Sequence, residues 1–311
     1  MADEAQSLSL EIGKKLKRRR HREWIVFYLL IAPWIIGFLV FLLYPMVSSF
    51  YYSLTIWDML SVPKYCGLYN YKYALLHDSS FWQALKVTTI YSVITVPLYM
   101  VLSLALSLML HSITKCKRIF RTIYYLPAIV GGVPVMILWS FIFSPNMGLL
   151  NEILGIFGIK GISWLYNSRY ALFSLILMGT WSVGGGMIIW LAGLNGVPQT
   201  LYDAAIVDGA GMWRTFFKIT LPMISPTIFF NLVTGVIGAF QSFTQSFVMT
   251  GGGPDESTLF YNLYLWQNAF DYYDMGYASA LAWVLFVIVL ALTMLIFRFS
   301  SAWVYYEGEV K

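Results

Sequence analysis

Six long apolar stretches, none of which contains an aspartate, glutamate, lysine or arginine, constrain this 311-residue chain more than any other feature. A helix that crosses a bilayer needs about 20 apolar residues, and each stretch is at least that long. The stretches are continuously apolar and lack the alternation of membrane β-strands. The sequence therefore predicts an all-α polytopic membrane protein with six transmembrane helices, at residues 24–46, 87–110, 122–143, 171–193, 222–250 and 277–297.

The composition is incompatible with a soluble domain. Hydrophobic residues make up 59% of the chain and charged residues 11%, whereas a typical soluble domain has about 25% charged residues. The net charge of +5 does not indicate nucleic-acid binding, because the basic residues cluster beside the apolar stretches. We expect a membrane-lipid environment and no nucleic-acid partner.

The distribution of basic residues predicts the orientation in the membrane, since lysine and arginine accumulate in cytoplasmic segments. If the N-terminus is cytoplasmic, the cytoplasmic segments hold most of the lysines and arginines, including seven before residue 23. Both termini are therefore predicted to be cytoplasmic. We divide the chain into a basic N-terminal segment (1–23), a six-helix membrane domain (24–303) and a C-terminal tail (304–311).

No pattern in the sequence indicates chemistry on a substrate. The HExxH and GxSxG motifs are absent, as is the GxxxxGK[ST] loop, so the chain itself is not expected to hydrolyse ATP. Cys66 and Cys116 are predicted on opposite sides of the membrane and should not pair. We expect a membrane protein that has no catalytic residue, metal site or cofactor of its own.

The fifth apolar stretch carries a stripe of polar and small residues. They recur at three- and four-residue steps, which places them on one helical face, and polar groups in a bilayer face protein or water. One interpretation is a translocation pathway and the other is close helix packing. The stripe comprises Asn231, Thr234, Gly235, Gly238, Gln241, Ser242 and Gln245.

The third and fourth stretches contain helix-weakening residues. Glycines 184–186 directly follow Trp181, Ser182 and one intervening valine in the fourth, and the third has Pro127, a glycine pair at 131–132 and Pro134. Glycine destabilises a helix interior, and broken membrane helices often mark substrate sites in transporters. We predict breaks at both positions, either as part of a substrate site or as structural kinks.

The connection between the fourth and fifth stretches, residues 194–222, predicts two short helices separated by a glycine break. Thr200 is suited to cap the first helix, with Asp203 three residues later. Ala204 and Ala205 keep that helix slim enough to enter a cleft, and Gly209 ends it.

The second helix of this connection starts at Met212 and is amphipathic, with Trp213 beside Arg214. Pro222 suits the first turn of the fifth membrane helix. Taken alone, this pattern is also typical of a helix pair that lies on the membrane surface.

The same connection resembles the EAA loop of binding-protein-dependent ABC importer permeases. The resemblance rests on the spacing of Asp203-Ala204-Ala205, Gly209, Ile219, Leu221 and Pro222. Asp203 replaces the family's usual glutamate, which keeps the charge and shortens its reach. Motifs elsewhere are similar to those of maltose-type carbohydrate permeases, namely Gly251-Gly252-Gly253-Pro254, Met275-Gly276-Tyr277-Ala278-Ser279-Ala280 and Trp303-Val304-Tyr305-Tyr306-Glu307-Gly308.

The resemblance implies the type I importer permease fold and a bacterial inner-membrane location. It also implies a second, homologous permease subunit, a cytoplasmic ABC ATPase dimer that holds ATP and Mg, an extracytoplasmic solute-binding protein, and a carbohydrate substrate. It assigns coupling to the ATPase to Asp203, Ala204, Ala205, Asp208, Gly209, Ile219, Leu221 and Pro222. With the polar stripe, it assigns the substrate pathway to Trp181, Ser182, Gly185, Gly235, Gly238, Gln241, Ser242 and Gln245.

We therefore predict a permease subunit of an ATP-driven importer for a sugar or oligosaccharide. One alternative is an importer of another solute, such as glycerol phosphate or an amino acid; an anionic cargo would favour a basic group in the pathway, and the six stretches have none. A secondary transporter is disfavoured because such proteins usually carry ionisable residues in their spans, and a membrane enzyme because no acid, base or metal cluster lies there.

Overall fold

The computed structural model describes residues 21, 23–113 and 116–305. The predicted basic N-terminal segment therefore lies outside the described residues, apart from positions 21 and 23, and so does the predicted tail beyond residue 305. Within the described ranges the chain is mainly helical, and its one small antiparallel sheet pairs Thr55 with Tyr65 and Ile56 with Lys64.

We number the elements in chain order. The first half contains α1 (Glu23–Ser53), β1 (Thr55–Ile56), β2 (Lys64–Tyr65), α2 (Tyr69–Leu76), α3 (Ser79–Ser112), α4 (Lys117–Ile129), α5 (Val133–Ile142), α6 (Leu149–Ile156) and α7 (Ser168–Ser182). The second half contains α8 (Gly184–Asn195), α9 (Gln199–Val207), α10 (Met212–Met223), α11 (Ser225–Phe240), α12 (Thr244–Met249), α13 (Tyr261–Trp266, continued by a π-helical turn, Gln267–Asp271) and α14 (Met275–Ser300).

Three of these helices, α1, α3 and α14, are by themselves long and apolar enough to cross a membrane. Three consecutive pairs meet the same criterion only together: α4 and α5 are bent by 94°, α7 and α8 by 50°, and α10 and α11 by 65°. Among the described residues the number of candidate spans is thus three, or six if each bent pair is one span.

The predicted breaks in the third and fourth apolar stretches are confirmed. The first lies between α4 and α5, where Gly132 has a φ of +83° and Pro134 opens the next helix. The second lies at Val183, directly before the three glycines. Glycine can adopt backbone angles that a helix interior does not use, and proline has no N–H group to continue the helical hydrogen bonds.

The fifth stretch differs from the prediction of one helix over 222–250. Pro222 does not start the membrane helix but lies in the last turn of α10, and Pro226 occupies the first turn of α11. The helix then ends at Phe240, and Phe243 lies outside helical geometry before α12 begins. The predicted common helical face is therefore wrong beyond Phe240, and Gln241, Ser242 and Gln245 are not on the same helix as Asn231.

The main core forms where α3, α11, α13 and α14 meet, and it is rich in aromatic side chains. Phe81 packs edge-on against Tyr261, with ring centroids 5.8 Å apart, and Tyr91 lies 4.7 Å from Phe260. In contrast, no residue in the most apolar part of α1 is buried. The far end of α1 contacts α14 through Phe50 and Trp283, 5.0 Å apart.

Asp78 joins three elements at one end of this core. Its Oδ1 accepts a hydrogen bond from the Phe81 amide at 3.1 Å and so caps α3. Its Oδ2 accepts hydrogen bonds from the hydroxyls of Tyr264 in α13 and Tyr277 in α14. Burial, followed by the bond to Asp78, raises the pKa of Tyr264, so this hydroxyl keeps its proton. Sequence reasoning missed this junction because its members are about 190 residues apart.

We predict that Asp78→Ala destabilises the protein by about 3 kcal/mol, because it removes a helix cap and leaves two hydroxyls without their acceptor. The measurement is thermal unfolding in detergent, in which the midpoint should fall by several degrees. Asp271→Ala, at an exposed position, is the matched control and should leave the midpoint unchanged. Equal midpoints for both variants would contradict the role of Asp78.

Candidate functional site

A cavity of about 500 Å³ lies where the broken helices meet. Its walls come from α3, α4, α5, α7, α8 and α11 and from the segment that follows α11. Among the described residues, no acidic or basic side chain lines this cavity. Its polar lining consists of neutral groups, which belong to Tyr91, Thr95, Tyr99, Trp181, Ser182, Asn231, Thr234, Ser242 and Gln245.

The cavity brings together six of the eight residues that the sequence assigned to the substrate pathway. These six are Trp181, Ser182, Gly185, Gly235, Ser242 and Gln245. Gly238 is exposed on α11 and does not line the cavity. Gln241 is also exposed, and its carbonyl accepts a hydrogen bond from Asn262 at 2.8 Å. Gly238 thus lies on a side of α11 that does not form the wall, and Gln241 lies after the end of that helix.

The three successive glycines pack closely against two neighbouring helices, α3 and α4. A Cβ on Gly184 would collide with the backbone carbonyl of Tyr124 in α4. A Cβ on Gly186 would lie 2.9 Å from Tyr99 Cε1 in α3, and one on Gly185 would lie 3.3 Å from the Tyr99 hydroxyl. The glycines therefore permit close packing of α8 against α3 and α4 in addition to forming a break, and Gly185 also contributes to the cavity wall.

Two tyrosines of α3 hold the breaks in place. The Tyr99 hydroxyl accepts a hydrogen bond from the Gly186 amide at 2.9 Å and donates one to the Ser182 carbonyl at 3.3 Å. It thus satisfies a free donor at the start of α8 and a free acceptor at the end of α7. Gln245 Nε2 donates to the Tyr91 hydroxyl at 3.2 Å, which ties α12 to α3.

Sequence reasoning missed both tyrosines. They lie inside an apolar stretch without polar periodicity, and their partners are in other helices. One signal was present, because a tyrosine deep in a membrane stretch usually finds a partner for its hydroxyl.

Trp181 is the most exposed aromatic residue of the cavity wall, with 47% of its surface accessible. Its ring meets Trp139 edge-on, with centroids 6.0 Å apart. Asn231 is mostly buried, and its Nδ2 donates to the Thr227 carbonyl one turn earlier on the same helix at 2.8 Å. Trp181 is therefore the most accessible aromatic side chain of the wall, whereas the amide nitrogen of Asn231 is bound within its own helix.

The connection over 194–222 folds as two helices around a glycine, as predicted. The amides of Gly209 and Ala210 donate to the carbonyls of Ile206 and Ala205, at 3.1 and 2.9 Å. With a φ of +69° at Gly209, this is a Schellman motif, in which glycine is preferred because it has no Cβ. The predicted Thr200 cap is wrong: α9 starts after Pro198 without a side-chain cap, and Asp203 Oδ1 instead accepts from Gln199.

The exposed and buried faces of α9 are distinct. Ala205 is buried with 6% of its surface accessible, whereas Ile206 and Val207 are 73% and 87% accessible. Asp203, Ala204, Asp208 and Gly209 are also exposed. The helix therefore presents a small, partly apolar and acidic surface at the tip of the connection.

One contact joins the two helices of this connection, and a second fixes the connection to its neighbours. The hydroxyls of Tyr202 and Thr220 lie 3.1 Å apart and join α9 to α10. Ile219 packs against a buried cluster of α8 and α11 that contains Trp190 and Ile224. Leu221 is partly buried and Pro222 is exposed beside this cluster. The connection is therefore attached on one side to α8 and on the other to α11, both of which line the cavity.

Comparisons with known proteins agree on one group of relatives. Residues 114–305 match the family described as binding-protein-dependent transport system inner membrane component. The chain is 44% identical to the probable ABC transporter permease protein YesP of Bacillus subtilis, over 95% of this chain and 96% of that protein.

More distant relatives have different named cargoes. The trehalose/maltose transport system permease protein MalF of Thermococcus litoralis is 34% identical, with 88% of this chain and 93% of that protein covered. The sn-glycerol-3-phosphate transport system permease protein UgpA of Yersinia enterocolitica is 33% identical, with 90% and 95% covered.

The fold matches that of a solved transporter. A chain in the crystal structure of a bacterial ABC transporter involved in the import of the acidic polysaccharide alginate superposes with a TM-score of 0.80. The superposition covers 93% of this chain and 99% of that chain at 24% sequence identity. This likeness establishes the fold of the membrane domain.

We predict that Gly184→Ala lowers the stability of the protein by about 1–3 kcal/mol, because the new methyl group overpacks the contact with the α4 backbone. The measurement is the thermal midpoint in detergent. Gly238→Ala is the matched control on α11, where a Cβ has nothing within 4 Å, and it should be neutral or stabilising. A Gly184→Ala midpoint equal to that of the parent would contradict the close packing of α8 on α4.

Proposed function

The chain belongs to the family of binding-protein-dependent transport system inner membrane components, and from that premise we propose that it is the permease subunit of an ABC importer for a sugar or oligosaccharide. One observation carries this proposal. The exposed connection around α9 continues directly into α8 and α11, and these two helices supply walls of the cavity. A displacement of α9 would therefore be passed to the cavity walls through α8 on one side and through α10 and α11 on the other.

We propose the following topology and assembly. Each bent pair forms one span, which gives six spans with both termini in the cytoplasm, in agreement with the distribution of lysine and arginine. The chain lies in the bacterial inner membrane among lipids. A second, homologous permease subunit completes the pathway, a cytoplasmic ABC ATPase dimer drives it, and an extracytoplasmic solute-binding protein delivers the substrate. Nucleic acid has no part in this assembly.

The proposed coupling surface is the tip of the connection around α9. Ala204 is exposed and small, and the apolar Ile206 and Val207 beside it suit the cleft of a partner protein. Asp203, Asp208 and Gly209 complete this tip, whereas Ala205, Ile219, Leu221 and Pro222 support it from the membrane side. ATP and Mg belong to the ATPase, so the permease needs no cofactor of its own and is not an enzyme.

The proposed mechanism is a shift between two conformations. ATP favours the closed ATPase dimer, and α9 moves with the ATPase because it is docked there. The permease then shifts from inward- to outward-facing, which requires that ATP binds more tightly to the assembly in the outward-facing state. The breaks beside Val183 and Ile224 let the cavity walls move without unfolding a helix.

The lining of the cavity favours a carbohydrate over a phosphorylated solute. Trp181 offers a face on which a sugar ring can stack, and Ser182, Ser242 and Gln245 offer neutral hydrogen-bonding groups to its hydroxyls. Gly185 and Gly235 leave space between these side chains. A phosphate group would favour a basic side chain, and the described residues place none in this wall.

Reconstitution tests this function directly. The complex that co-purifies with the tagged chain is placed in proteoliposomes with its binding protein, and uptake of radiolabelled maltose, trehalose, arabinotriose and glycerol 3-phosphate is measured with and without ATP. We expect ATP-dependent uptake of at least one carbohydrate. Uptake of glycerol 3-phosphate alone would replace the sugar proposal, and uptake without any ATPase would overturn the importer assignment.

We predict that Ala204→Trp abolishes co-purification of the ATPase and ATP-driven uptake, because a bulky ring on the exposed side of α9 blocks docking. The chain itself should remain folded in the membrane, since position 204 is exposed. The measurement is affinity capture of the tagged chain followed by quantification of the bound ATPase. Ala302→Trp, exposed in the turn after α14, is the matched control and should retain the ATPase. Normal capture by Ala204→Trp would contradict the proposed coupling surface.

A further inference from the structure

The wall of the cavity formed by α3 carries three hydroxyl groups at four-residue intervals, on Tyr91, Thr95 and Tyr99. Residues four apart lie on one side of a helix, and each step rises by about 6 Å. We call these three residues the α3 hydroxyl row. Trp181, Ser182, Ser242 and Gln245 line the same cavity, and the row contacts two of them, Ser182 and Gln245, directly.

The two outer hydroxyls of the row are engaged by protein partners. The Tyr99 hydroxyl bridges the break between α7 and α8, and the Tyr91 hydroxyl accepts from Gln245. Their hydrogen-bonding capacity therefore serves mainly to hold the neighbouring walls against α3.

Thr95, in the middle of the row, differs from its neighbours. Its hydroxyl oxygen is buried and has no hydrogen-bond partner in the part of the chain that the structure describes. The Tyr91 hydroxyl lies close enough for a weak hydroxyl–hydroxyl contact with Thr95, but the pair does not meet the distance and angle requirements of a hydrogen bond.

Other hydroxyls of α3 show what a helical threonine or serine does when no ligand is needed. Thr89 Oγ1 donates to the Leu85 carbonyl at 2.7 Å, and Ser107 Oγ donates to the Ser103 carbonyl at the same distance. This back-bonding to the preceding turn is the usual way in which a hydroxyl is satisfied inside a helix. Thr95 lacks this bond and keeps both its donor and its acceptors available.

A buried hydroxyl without a partner is unfavourable, and in a cavity wall it can be satisfied by the occupant of the cavity. We propose that Thr95 is a ligand-binding residue of the translocation pathway, and that its hydroxyl exchanges a hydrogen bond with a hydroxyl group of the passing carbohydrate. Tyr91 and Tyr99 are positioning residues that hold the neighbouring walls against α3 on either side of Thr95. The inference rests on the proposed function and deepens it.

The chemistry of the surroundings selects this ligand class. A hydroxyl can donate one hydrogen bond and accept others at the same time. The hydroxyl groups of a sugar need both kinds of partner. The exposed ring of Trp181 complements the apolar face of a sugar ring, whereas Thr95 meets its polar edge. No charged group is needed for this contact, in agreement with the neutral lining of the cavity.

The test compares two substitutions at position 95 in the reconstituted complex. Thr95→Val keeps the shape of the side chain and removes the hydroxyl, whereas Thr95→Ser keeps the hydroxyl. We expect Thr95→Val to raise the KM for uptake of the imported sugar about fivefold, the loss expected for one neutral hydrogen bond, and Thr95→Ser to restore it. Thr89→Val, at an exposed position of the same helix, is the matched control and should leave the KM unchanged.

A second readout separates ligand binding from a structural role. Because the Thr95 hydroxyl has no protein partner, Thr95→Val should leave the thermal midpoint equal to that of the parent or raise it. A lower midpoint together with the higher KM would mean that the hydroxyl supports the fold, and would overturn the inference.

The outcomes also distinguish this inference from the proposed function. The probes are maltose, trehalose and arabinotriose, each tested first with the parent complex. If the parent imports none of them, the carbohydrate proposal itself fails. If the parent imports one and Thr95→Val does so with an unchanged KM, only the role of Thr95 is overturned. A raised KM in Thr89→Val would likewise overturn it, since the effect would then be general to α3.

Discussion

A helix that breaks at membrane depth leaves backbone N–H and C=O groups without helical partners, and hydrocarbon offers none. This constraint shapes the centre of the protein, where α4 and α5, α7 and α8, and α11 and α12 are all interrupted. The long helix α3 supplies partners for backbone groups at one of these breaks. Tyr99 bridges one break, and Ser107 donates to the Met187 carbonyl of α8 at 3.0 Å. The cavity exists because α3 satisfies these groups while the walls around it remain discontinuous.

The same arrangement joins the connection around α9 to two walls of the cavity. The connection around α9 is locally rigid, since a Schellman motif closes α9 and the hydroxyls of Tyr202 and Thr220 join it to α10. Its two ends are α8 and α11, which bear on α3 through small residues: Gly186 meets Tyr99, and Gly235 meets Val96. Displacement of the connection would therefore move two walls against a third. Small contact residues are suited to such sliding because they allow close approach without interlocking side chains.

The sequence predicts the parts of this structure that depend on local composition. Uncharged apolar stretches, the glycines that open α8 and the glycine that ends α9 were all recognised, because each follows from properties of neighbouring residues. The end of α11 at Phe240 was missed because the periodic spacing of polar residues continues to Gln245, although the helix does not. Tyr99 and Asp78 were missed for another reason, since their roles are set by partners more than 80 residues away. A single sequence contains no signal for such pairings beyond the expectation that a buried polar group has a partner.

The neutral lining of the cavity is also consistent with the energetic demands of transport. A pathway must bind its cargo strongly enough to select it and weakly enough to release it on the other side. A neutral hydrogen bond contributes about 1 kcal/mol net, and one to a charged group contributes more. A wall of hydroxyls, amides and one indole ring therefore spreads recognition over several weak contacts. Movement of α8 or α11 would carry some of these polar groups away from the α3 hydroxyl row, and the affinity for the cargo would fall in steps. Release would then not require one strong bond to break.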